Sequence, residues 1–365
     1  MKFLLITEEF PPFKGGIANY YGNLVNFWPL GESLAVLNNN RGELRRSGRH
    51  LSWWPAFSAL KRKIKLGKID YVLVGQILPY GTVAYISSFF NKKPYAVFLH
   101  GLDLSLALSG PRKKILARLI LSRATKIICA NSHVARIVQD NFSFHGATKD
   151  KVAVVNPGVV SGAPYVSSET LIDLRKVHGL EGKTVLLTVG RLVKRKGVDQ
   201  VIKLLEAMPD DQAEKFVYFV AGTGPAETEL KSMVSNKQRG NIRFLGEISD
   251  KEKWEMYRLC DIFVMPARDI DGDYEGFGIA YLEANICGKP VIAGRSGGVS
   301  DAVEDGVNGI MVDPEDLEQI SQAIIRLAGD EKLRDFLGEE GRKRAIKKFS
   351  WEALALRLSK SLRLN

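Results

Sequence analysis

Short apolar segments alternate with amphipathic segments along most of this chain of 365 residues, and this alternation is the feature that most constrains its fold. In the first half, each apolar segment has the length of one buried strand, and the segments between them have helical spacing. The predicted strands cover residues 2–7, 33–37, 71–74, 95–99, 126–130 and 152–155. The predicted helices cover residues 17–27, 53–66, 81–90, 111–122 and 133–141. Such alternation favours a parallel sheet with helices on both faces.

The alternation pauses at Asn156-Pro157-Gly158 and resumes after a linker of small residues at 160–168. The second set of predicted strands covers residues 183–189, 216–221, 242–245, 261–267 and 290–293. The second set of predicted helices covers residues 198–207, 226–235, 250–259 and 277–287, and the tail from 314 to 365 is also helical. We therefore predict an α/β chain with two doubly wound domains, residues 1–165 and 166–349. A terminal helix, residues 350–365, carries an apolar stripe that must pack against other residues.

Positive charge is concentrated in the N-terminal half. The sequence has 52 Lys and Arg against 41 Asp and Glu, a formal net charge of +11. Residues 41–68 contain nine Lys or Arg and one acid, Glu43, while residues 104–139 contain seven and no acid. An anionic partner for this half is expected, and a merely solvated basic face is the alternative. The sequence lacks aromatic-interleaved RNA motifs and zinc-finger spacing, so a nucleic acid is not the expected partner.

Residues 53–66 read WWPAFSALKRKIKL, in which aromatic and aliphatic side chains are interleaved with Lys61, Arg62, Lys63 and Lys65. This pattern suits a helix lying on an anionic membrane surface, and it equally suits an internal helix with a solvated cationic face. The first residues have no secretory leader signature, and no apolar run reaches the roughly 20 residues that span a bilayer. We therefore expect a cytoplasmic protein, either free or peripheral on the inner face of the cell membrane.

Three cysteines, Cys129, Cys260 and Cys287, lie apart in apolar runs without metal-ligand spacing. They are predicted to be buried free thiols of a reducing compartment.

Two carboxylates eight residues apart, Glu275 and Glu283, bracket a glycine-flanked turn in the stretch ARDIDGDYEGFGIAYLEA. Eight residues of helix rise about 12 Å, so both carboxylates can face one groove with a helix N-terminus between them. Free N–H groups at a helix N-terminus attract anions. A nucleotide sugar, with hydroxyls at both ends and phosphates in the middle, would match this layout. The alternative is two unrelated solvated glutamates.

The segment from Gly190 to Gly197, GRLVKRKG, holds four cations at the end of a predicted strand and just before a helix. Arg can bind two oxygens of a diphosphate at once and Lys acts as a point charge, so this loop suits diphosphate binding. A solvated basic turn is the alternative. The nearby Gly222-x-Gly224 lacks the third glycine of the dinucleotide fingerprint and is weak evidence by itself.

His100 follows the apolar strand YAVFL and opens the sequence HGLD. Ligands of open α/β sheets bind at the carboxyl ends of strands, so His100 is a candidate for substrate contact, and a hydrogen-bonded turn residue is the alternative. Gly15 and Gly16 begin the first predicted helix, where small residues let a ligand approach the backbone. A plain turn is the alternative for the glycine pair.

In this order, these motifs resemble the retaining glycosyltransferases of family 4, which have the GT-B architecture. The motifs are the Gly15-Gly16 loop, HGLD, GRLVKRKG, GTGP, EGFGIAYLE and the Gly-Gly loop after GKPVIAG. The segment PARDIDGDYEGFGI is locally most similar to bacterial phosphatidylinositol mannosyltransferases. The resemblance implies an N-terminal acceptor-binding domain and a C-terminal nucleotide-sugar-binding domain, both Rossmann-like and facing across a cleft. It also implies a terminal helix that returns to the N-terminal domain.

The resemblance also implies residue roles. Arg191 and Lys196 would hold the donor diphosphate, Glu283 the ribose hydroxyls, and Glu275 the transferred sugar, which His100 would contact from the other domain. The implied donor-binding set is Gly15, Gly16, Arg191, Lys196, Gly222, Glu275, Gly276, Phe277, Gly278, Ile279 and Glu283. The implied acceptor-binding set is Gly16, Tyr20, His100 and Asp103, and the implied catalytic set is His100, Arg191, Lys196 and Glu275.

The implied reaction moves a hexose from GDP-mannose, or from a UDP-sugar, to a lipid-linked or glycan acceptor, with retention through front-face attack. The nucleotide sugar is a co-substrate, and no separate cofactor or metal is implied; Asp269, Asp271 and Asp273 are interpreted as a polar loop. Two other functions stay open on the same fold, a nucleotide-sugar 2-epimerase and a non-catalytic module that binds nucleotide sugars.

Overall fold

The computed structural model of the chain describes residues 1–13, 15–42, 44–45, 53–142 and 151–363. The chain divides into two compact units. Unit 1 consists of Met1–Gly158 together with Trp351–Asn365, and unit 2 consists of Val159–Ser350. Part of the basic segment at 41–68, including Glu43, lies outside the described residues.

Unit 1 contains a parallel sheet whose six described strands run in the order β2-β1-β3-β4-β5-β6. The strands are β1 Lys2–Thr7, β2 Ser33–Asn38, β3 Tyr71–Val74, β4 Tyr95–Leu99, β5 Lys126–Cys129 and β6 Val152–Val154. The helices are α1 Gly16–Asn26, α2 Trp54–Gly67, α3 Thr82–Asn91, α4 Leu102–Leu108, α5 Pro111–Arg123 and α6 Ser132–Asn141. All of β3 and β4 is buried, as expected for inner strands of a parallel sheet covered on both faces.

Unit 2 repeats the plan with six described parallel strands in the order β12-β11-β10-β7-β8-β9. The strands are β7 Thr184–Val189, β8 Phe216–Ala221, β9 Ile242–Gly246, β10 Ile262–Met265, β11 Val291–Gly294 and β12 Gly309–Val312. The helices up to the last strand are α7 Ser168–Val177, α8 Val198–Ala207, α9 Asp210–Ala213, α10 Glu227–Ser232, α11 Asp250–Leu259, α12 Ile279–Ile286 and α13 Val299–Ala302. Two longer helices, α14 Leu317–Gly329 and α15 Glu331–Phe349, follow. The predicted α/β class is confirmed.

The last helix, α16 Trp351–Arg363, belongs to unit 1 although the residues before it belong to unit 2. Its apolar stripe, with Trp351, Leu354 and Leu358, is buried in a core cluster that contains residues of β1 and α1. Near its end, Ser359 Oγ donates to Glu32 at 2.5 Å and Arg363 pairs with the same carboxylate at 2.8 Å. The predicted return of the terminal helix to the N-terminal domain is therefore confirmed.

Several elements differ from the sequence prediction. Helix α4, directly after His100, and strand β12 were not predicted from the sequence. The helix predicted from residue 277 begins only at Ile279, because Gly278 has a φ of 81°. A left-handed residue cannot continue a right-handed helix. The helix predicted at 226–235 is confined to Glu227–Ser232.

Within the described part of the chain, no helix combines the length and the apolar character needed to cross a membrane.

Candidate active site

The cationic loop follows β7 and contains a single 3₁₀ turn at Lys194–Lys196. Gly197, which ends the turn, has a φ of 73°, and a Cβ there would lie 2.1 Å from the Pro266 carbonyl oxygen. The loop is thus packed closely against the chain that leaves β10. A Cβ at Gly222 would lie 2.0 Å from the Gly190 carbonyl oxygen. Gly222 is therefore required for the contact of two loops, and its donor-binding role stays a prediction.

The centre of unit 2's polar site is a group that we call the cation–Glu275 group, consisting of Arg195, Lys196 and Glu275. Lys196 Nζ lies 2.5 Å from Glu275 Oε2, and Arg195 NH1 lies 2.6 Å from the same oxygen. The Glu275 side chain is only 10% exposed. Burial disfavours its charge, but the Lys196 ammonium and the Arg195 guanidinium outweigh that effect and hold the pKa of Glu275 below its usual value. Glu275 is therefore a carboxylate at neutral pH.

Arg195 is a member of this group that the motif analysis did not single out. Besides Glu275 it binds Asp273, whose Oδ1 lies 3.0 Å from Arg195 Nε. Asp273 belongs to the acidic loop, in which Ile270 and Asp273 also pair through their backbones. The only sequence signal was the run of four cations, which does not say which of them points at a carboxylate 80 residues away.

The loop after β11 holds the backbone of Glu275. Ser296 Oγ accepts a hydrogen bond from the Glu275 N–H at 3.3 Å, and the Gly298 N–H donates to the Glu275 carbonyl at 3.0 Å. Gly297 has a φ of 46°, and a Cβ there would lie 2.4 Å from the same carbonyl oxygen. The Gly-Gly pair identified from sequence therefore supports the glutamate directly, which spacing alone did not indicate.

Glu283, on α12, has partners of its own. Lys253 Nζ lies 2.9 Å from Glu283 Oε1, and Tyr257 donates its hydroxyl to Oε2 at 2.8 Å. Burial opposes the charge on Lys253, but the Glu283 carboxylate prevails and raises the pKa of this lysine. The sequence predicted that both glutamates can face one groove. In the part of the chain that the structure describes, Glu275 is paired with two cations and Glu283 with one. Neither Lys253 nor Tyr257 was singled out from the sequence.

The rest of the predicted donor set is distributed as follows. Arg191 is exposed, and its side chain makes no ion pair with any residue that the structure describes. Phe277 is 4% exposed and its ring lies 5.6 Å from that of Phe349, so it offers a ligand only its backbone. Gly276, Gly278 and Ile279 connect Glu275 to the first turn of α12.

Unit 1 contains a second polar site, the His100 group, which consists of Tyr20, Tyr21, His100 and Asp103. His100 follows β4, and its Nε2 lies 2.7 Å from the Tyr21 hydroxyl. Burial lowers the pKa of His100 to about 4, so the imidazole is neutral near pH 7. Tyr20 is buried, its hydroxyl donates to the Val155 carbonyl at 3.1 Å, and its ring centroid lies 5.1 Å from that of His100.

Asp103 binds the backbone N–H groups at and after His100. Its Oδ1 accepts from the N–H groups of His100 at 2.9 Å and Gly101 at 3.1 Å. Burial raises the pKa of Asp103 to about 6, although these N–H groups oppose the shift. Gly15 and Gly16 lie at the start of α1, and nothing within 4 Å would meet a Cβ at Gly16. The acceptor roles of Gly16, Tyr20, His100 and Asp103 stay predictions.

Among residues 1–13, 15–42, 44–45, 53–142 and 151–363, no cluster of three His, Cys, Asp or Glu side chains could hold a metal ion. In the acidic loop, Asp273 is paired with Arg195, and Asp269 Oδ1 accepts from the Gly272 N–H at 2.9 Å.

Comparison with known proteins defines the class. Residues 172–344 match the family described as glycosyl transferases group 1. A mannosyltransferase of Corynebacterium glutamicum, GDP-mannose-dependent and named for a monoacylated phosphatidylinositol monomannoside, is 28% identical over 99% of this chain and 97% of its own length. The phosphatidylinositol monomannoside mannosyltransferase of Mycolicibacterium smegmatis is 27% identical over 98% and 97%.

The crystal structure of HepE from Anabaena in complex with UDP superposes with a TM-score of 0.79 at 18% identity and full coverage of both chains. That likeness establishes the GT-B fold predicted from the motifs. The fold is GT-B, residues 172–344 match the group 1 glycosyl transferases, and the chain is a glycosyltransferase.

Proposed function

We propose that this glycosyltransferase transfers mannose from GDP-mannose to a lipid-linked or glycan acceptor, with retention of the anomeric configuration. The observation that carries the proposal is the buried cation–Glu275 group within residues 172–344, the part of the chain that matches the family. GDP-mannose is favoured over UDP-sugars because two relatives that match almost end to end, those of Corynebacterium glutamicum and Mycolicibacterium smegmatis, are named as GDP-mannose-dependent. The UDP-bound structure of HepE makes a UDP-sugar the second candidate donor.

In this proposal, the donor diphosphate binds Arg191 and Lys196. Its negative charge then takes over part of the pairing with the Lys196 ammonium that Glu275 provides in the absence of a donor. Glu275 then has a lone pair to accept hydrogen bonds from hydroxyls of the transferred sugar. The backbone from Gly276 to Ile279 lies beside the diphosphate, and Glu283 accepts from the ribose. Cations and N–H groups that are in place before the reaction stabilise the charge that develops on the leaving phosphate.

The chemical step breaks the bond between the anomeric carbon and the diphosphate oxygen and forms one to the acceptor oxygen on the same face. The proton of the acceptor hydroxyl passes to the departing phosphate oxygen. His100, neutral and held at the end of β4, contacts the sugar, and Gly16, Tyr20 and Asp103 shape the acceptor side. No separate base or metal ion is invoked in this step.

The test is a donor and acceptor screen. The protein is incubated with GDP-mannose, UDP-glucose or UDP-N-acetylglucosamine, each with vesicles that contain phosphatidylinositol, and nucleotide release and glycolipid mass are measured. We expect a mannosylated lipid from GDP-mannose, sensitive to an α-mannosidase. An epimerised nucleotide sugar without glycolipid would indicate an epimerase, and donor binding without any turnover would indicate a binding module.

We further propose that unit 1 reaches its acceptor on an anionic membrane surface. On α2, Lys61, Arg62, Lys63 and Lys65 are exposed, while Leu60 and Ile64 are buried. Exposed aromatic rings lie on the same helix and on α3, with Trp54 54% and Phe90 75% exposed. Each cation at an anionic bilayer contributes about 1 kcal/mol, screened by salt.

Sedimentation with liposomes tests the membrane proposal. Binding should require anionic lipid, weaken at high salt, and be lost when Lys61, Arg62, Lys63 and Lys65 are all changed to Gln. The matched control changes four lysines of unit 2 on α15 to Gln: Lys332, Lys343, Lys347 and Lys348. Equal loss in both variants, or equal binding to neutral liposomes, would leave the basic face of α2 as a solvated surface.

A further inference from the structure

The Tyr21 hydroxyl lies between two groups that cannot both be hydrogen-bond acceptors. Tyr21, on α1, is fully buried, and its oxygen lies 2.7 Å from the Gly75 carbonyl oxygen and 2.7 Å from His100 Nε2. A phenol has one hydrogen to donate, and a carbonyl oxygen can only accept. Tyr21 therefore donates to Gly75, and the contact with His100 requires a hydrogen on Nε2 that Tyr21 accepts.

A neutral imidazole with its hydrogen on Nε2 has a lone pair on Nδ1. The low pKa of His100 and the burial of Tyr21, which raises the pKa of the phenol, keep both groups neutral near pH 7. Among the residues that the structure describes, none is hydrogen-bonded to His100 Nδ1. The acceptor end of the imidazole is therefore the end that a ligand can use.

Three aromatic rings surround the imidazole of His100. The Phe98 ring is nearly parallel to that of His100, with an interplanar angle of 7° and centroids 6.4 Å apart. The edges of Tyr20 and Tyr21 meet the imidazole at 80° and 85°. A Cβ at Gly75 would lie 3.1 Å from Tyr21 Cε2 and 2.7 Å from Thr7 Oγ1, so glycine lets the carbonyl reach the phenol.

We propose that Tyr21 is a positioning residue that holds His100 in the Nε2–H tautomer, so that Nδ1 accepts a hydrogen bond from a hydroxyl of the transferred sugar. The sugar contact rests on the proposed function, whereas the tautomer does not. It follows that His100 recognises a hydroxyl as a hydrogen-bond donor and does not supply a proton to the leaving group. A sugar without a hydroxyl at that position would lose this contact.

The tautomer is measured directly by two-bond ¹H–¹⁵N correlation spectra of protein labelled with ¹⁵N-histidine, without donor or acceptor. The chain has five histidines, and the signal of His100 is the one lost in His100→Gln. We expect the Nε2–H pattern in the wild-type protein and a mixed or Nδ1–H pattern in Tyr21→Phe. A wild-type Nδ1–H pattern, or no change in Tyr21→Phe, would overturn the inference.

Kinetics provide the second measurement, with Tyr95→Phe as the matched control. Tyr95 is also a buried tyrosine of unit 1, and its hydroxyl donates to the Ile120 carbonyl at 2.6 Å. Loss of one oriented hydrogen bond should lower kcat/KM of Tyr21→Phe by roughly fivefold to tenfold, while Tyr95→Phe changes only stability. If transfer activity is absent altogether, the proposed function fails and the spectra still decide the tautomer. An equal loss of kcat/KM in both variants would reduce Tyr21 to a packing residue.

Discussion

The two polar sites use opposite electrostatics. In the cation–Glu275 group, two cations share one buried carboxylate oxygen, so the site is charged before any ligand arrives. In the His100 group, burial lowers the pKa of the imidazole and raises the pKa of Asp103, and the Tyr20 ring stands at 80° to the imidazole. Preformed positive charge suits an anionic ligand, whereas a neutral imidazole offers a hydrogen-bond acceptor without a net charge. The two units therefore offer a ligand different chemistry, a charged site in unit 2 and a largely uncharged one in unit 1.

The largest expected effect is from Glu275→Gln. Removing the carboxylate leaves Lys196 and Arg195 without their shared buried partner. Breaking a buried ion pair in this way lowers the free energy of unfolding by about 3 kcal/mol. We also expect turnover to fall by at least about a hundredfold, because the sugar contact is lost at the same time. Urea unfolding and a glycosyl transfer assay measure the two effects separately.

The matched control for that change is Glu229→Gln. Glu229 pairs with Lys194 in the same cationic turn, but its side chain is 58% exposed. Exposed pairs contribute about 1 kcal/mol or less, so stability and turnover should hardly change. A similar loss of stability and turnover in both variants would show that the buried cation–Glu275 group contributes no more than the exposed Lys194–Glu229 pair.

The second expected effect distinguishes Arg191 from Lys196, two cations of the loop after β7, by their contributions to stability. Arg191→Ala and Lys196→Ala should each weaken GDP binding by about 1.5–3 kcal/mol, because each removes a charge-assisted bond to the diphosphate. Only Lys196→Ala should also lower stability, since Arg191 is exposed and Lys196 is paired with Glu275. Calorimetric titration with GDP, with Lys231→Ala as the surface control, measures the binding. Full affinity in both variants would contradict their placement at the diphosphate.

A smaller effect is expected for Glu283→Ala. Loss of the ribose contact should weaken GDP binding by about 1 kcal/mol. The sharper measurement uses 2′-deoxy-GDP and 3′-deoxy-GDP: wild-type protein should discriminate against at least one of them, and Glu283→Ala should not. If the discrimination persists in the variant, Glu283 serves only to hold Lys253 and Tyr257.

The smallest expected effect is the pH dependence of wild-type stability that arises from the His100 group. His100 has its pKa lowered to about 4, so its contribution is present above its ordinary pKa and is lost as pH falls through about 4. Asp103 has its pKa raised to about 6, so its contribution is present below its ordinary pKa and is lost as pH rises through about 6. Between about pH 4 and 6, the His100 contribution makes the free energy of unfolding rise with pH and the Asp103 contribution makes it fall. These two slopes largely cancel.

Single variants should reveal the two slopes. Relative to wild type, His100→Gln should become less stable as pH rises from 4 to 6, because only the Asp103 slope remains. Asp103→Asn should become more stable over the same window, because only the His100 slope remains. Urea unfolding at several pH values, followed by tryptophan fluorescence, measures both. Parallel pH profiles for all three proteins would mean that neither group is perturbed by burial.

Most strands and helices, and the order in which they alternate, could be predicted from the sequence. The bounds of α8 were predicted to the residue, and the strands of both sheets lie where their apolar runs predict, except for β12. These features are local, because strand and helix periodicity depend on neighbours a few residues apart. The ordered motifs also carried the resemblance to glycosyltransferases, and the glycosyltransferase class is confirmed.

Which side chains contact each other depends on the folded chain. Arg195 reaches Glu275 across 80 residues of sequence, Tyr21 reaches His100 across 79, and Lys253 reaches Glu283 across 30. The order of strands in each parallel sheet brings these residues together, and side-chain spacing within one segment carries no record of that order. The same applies to the pKa values: burial in the folded chain lowers the pKa of His100, whereas Lys196 and Arg195 lower the pKa of Glu275 in spite of its burial.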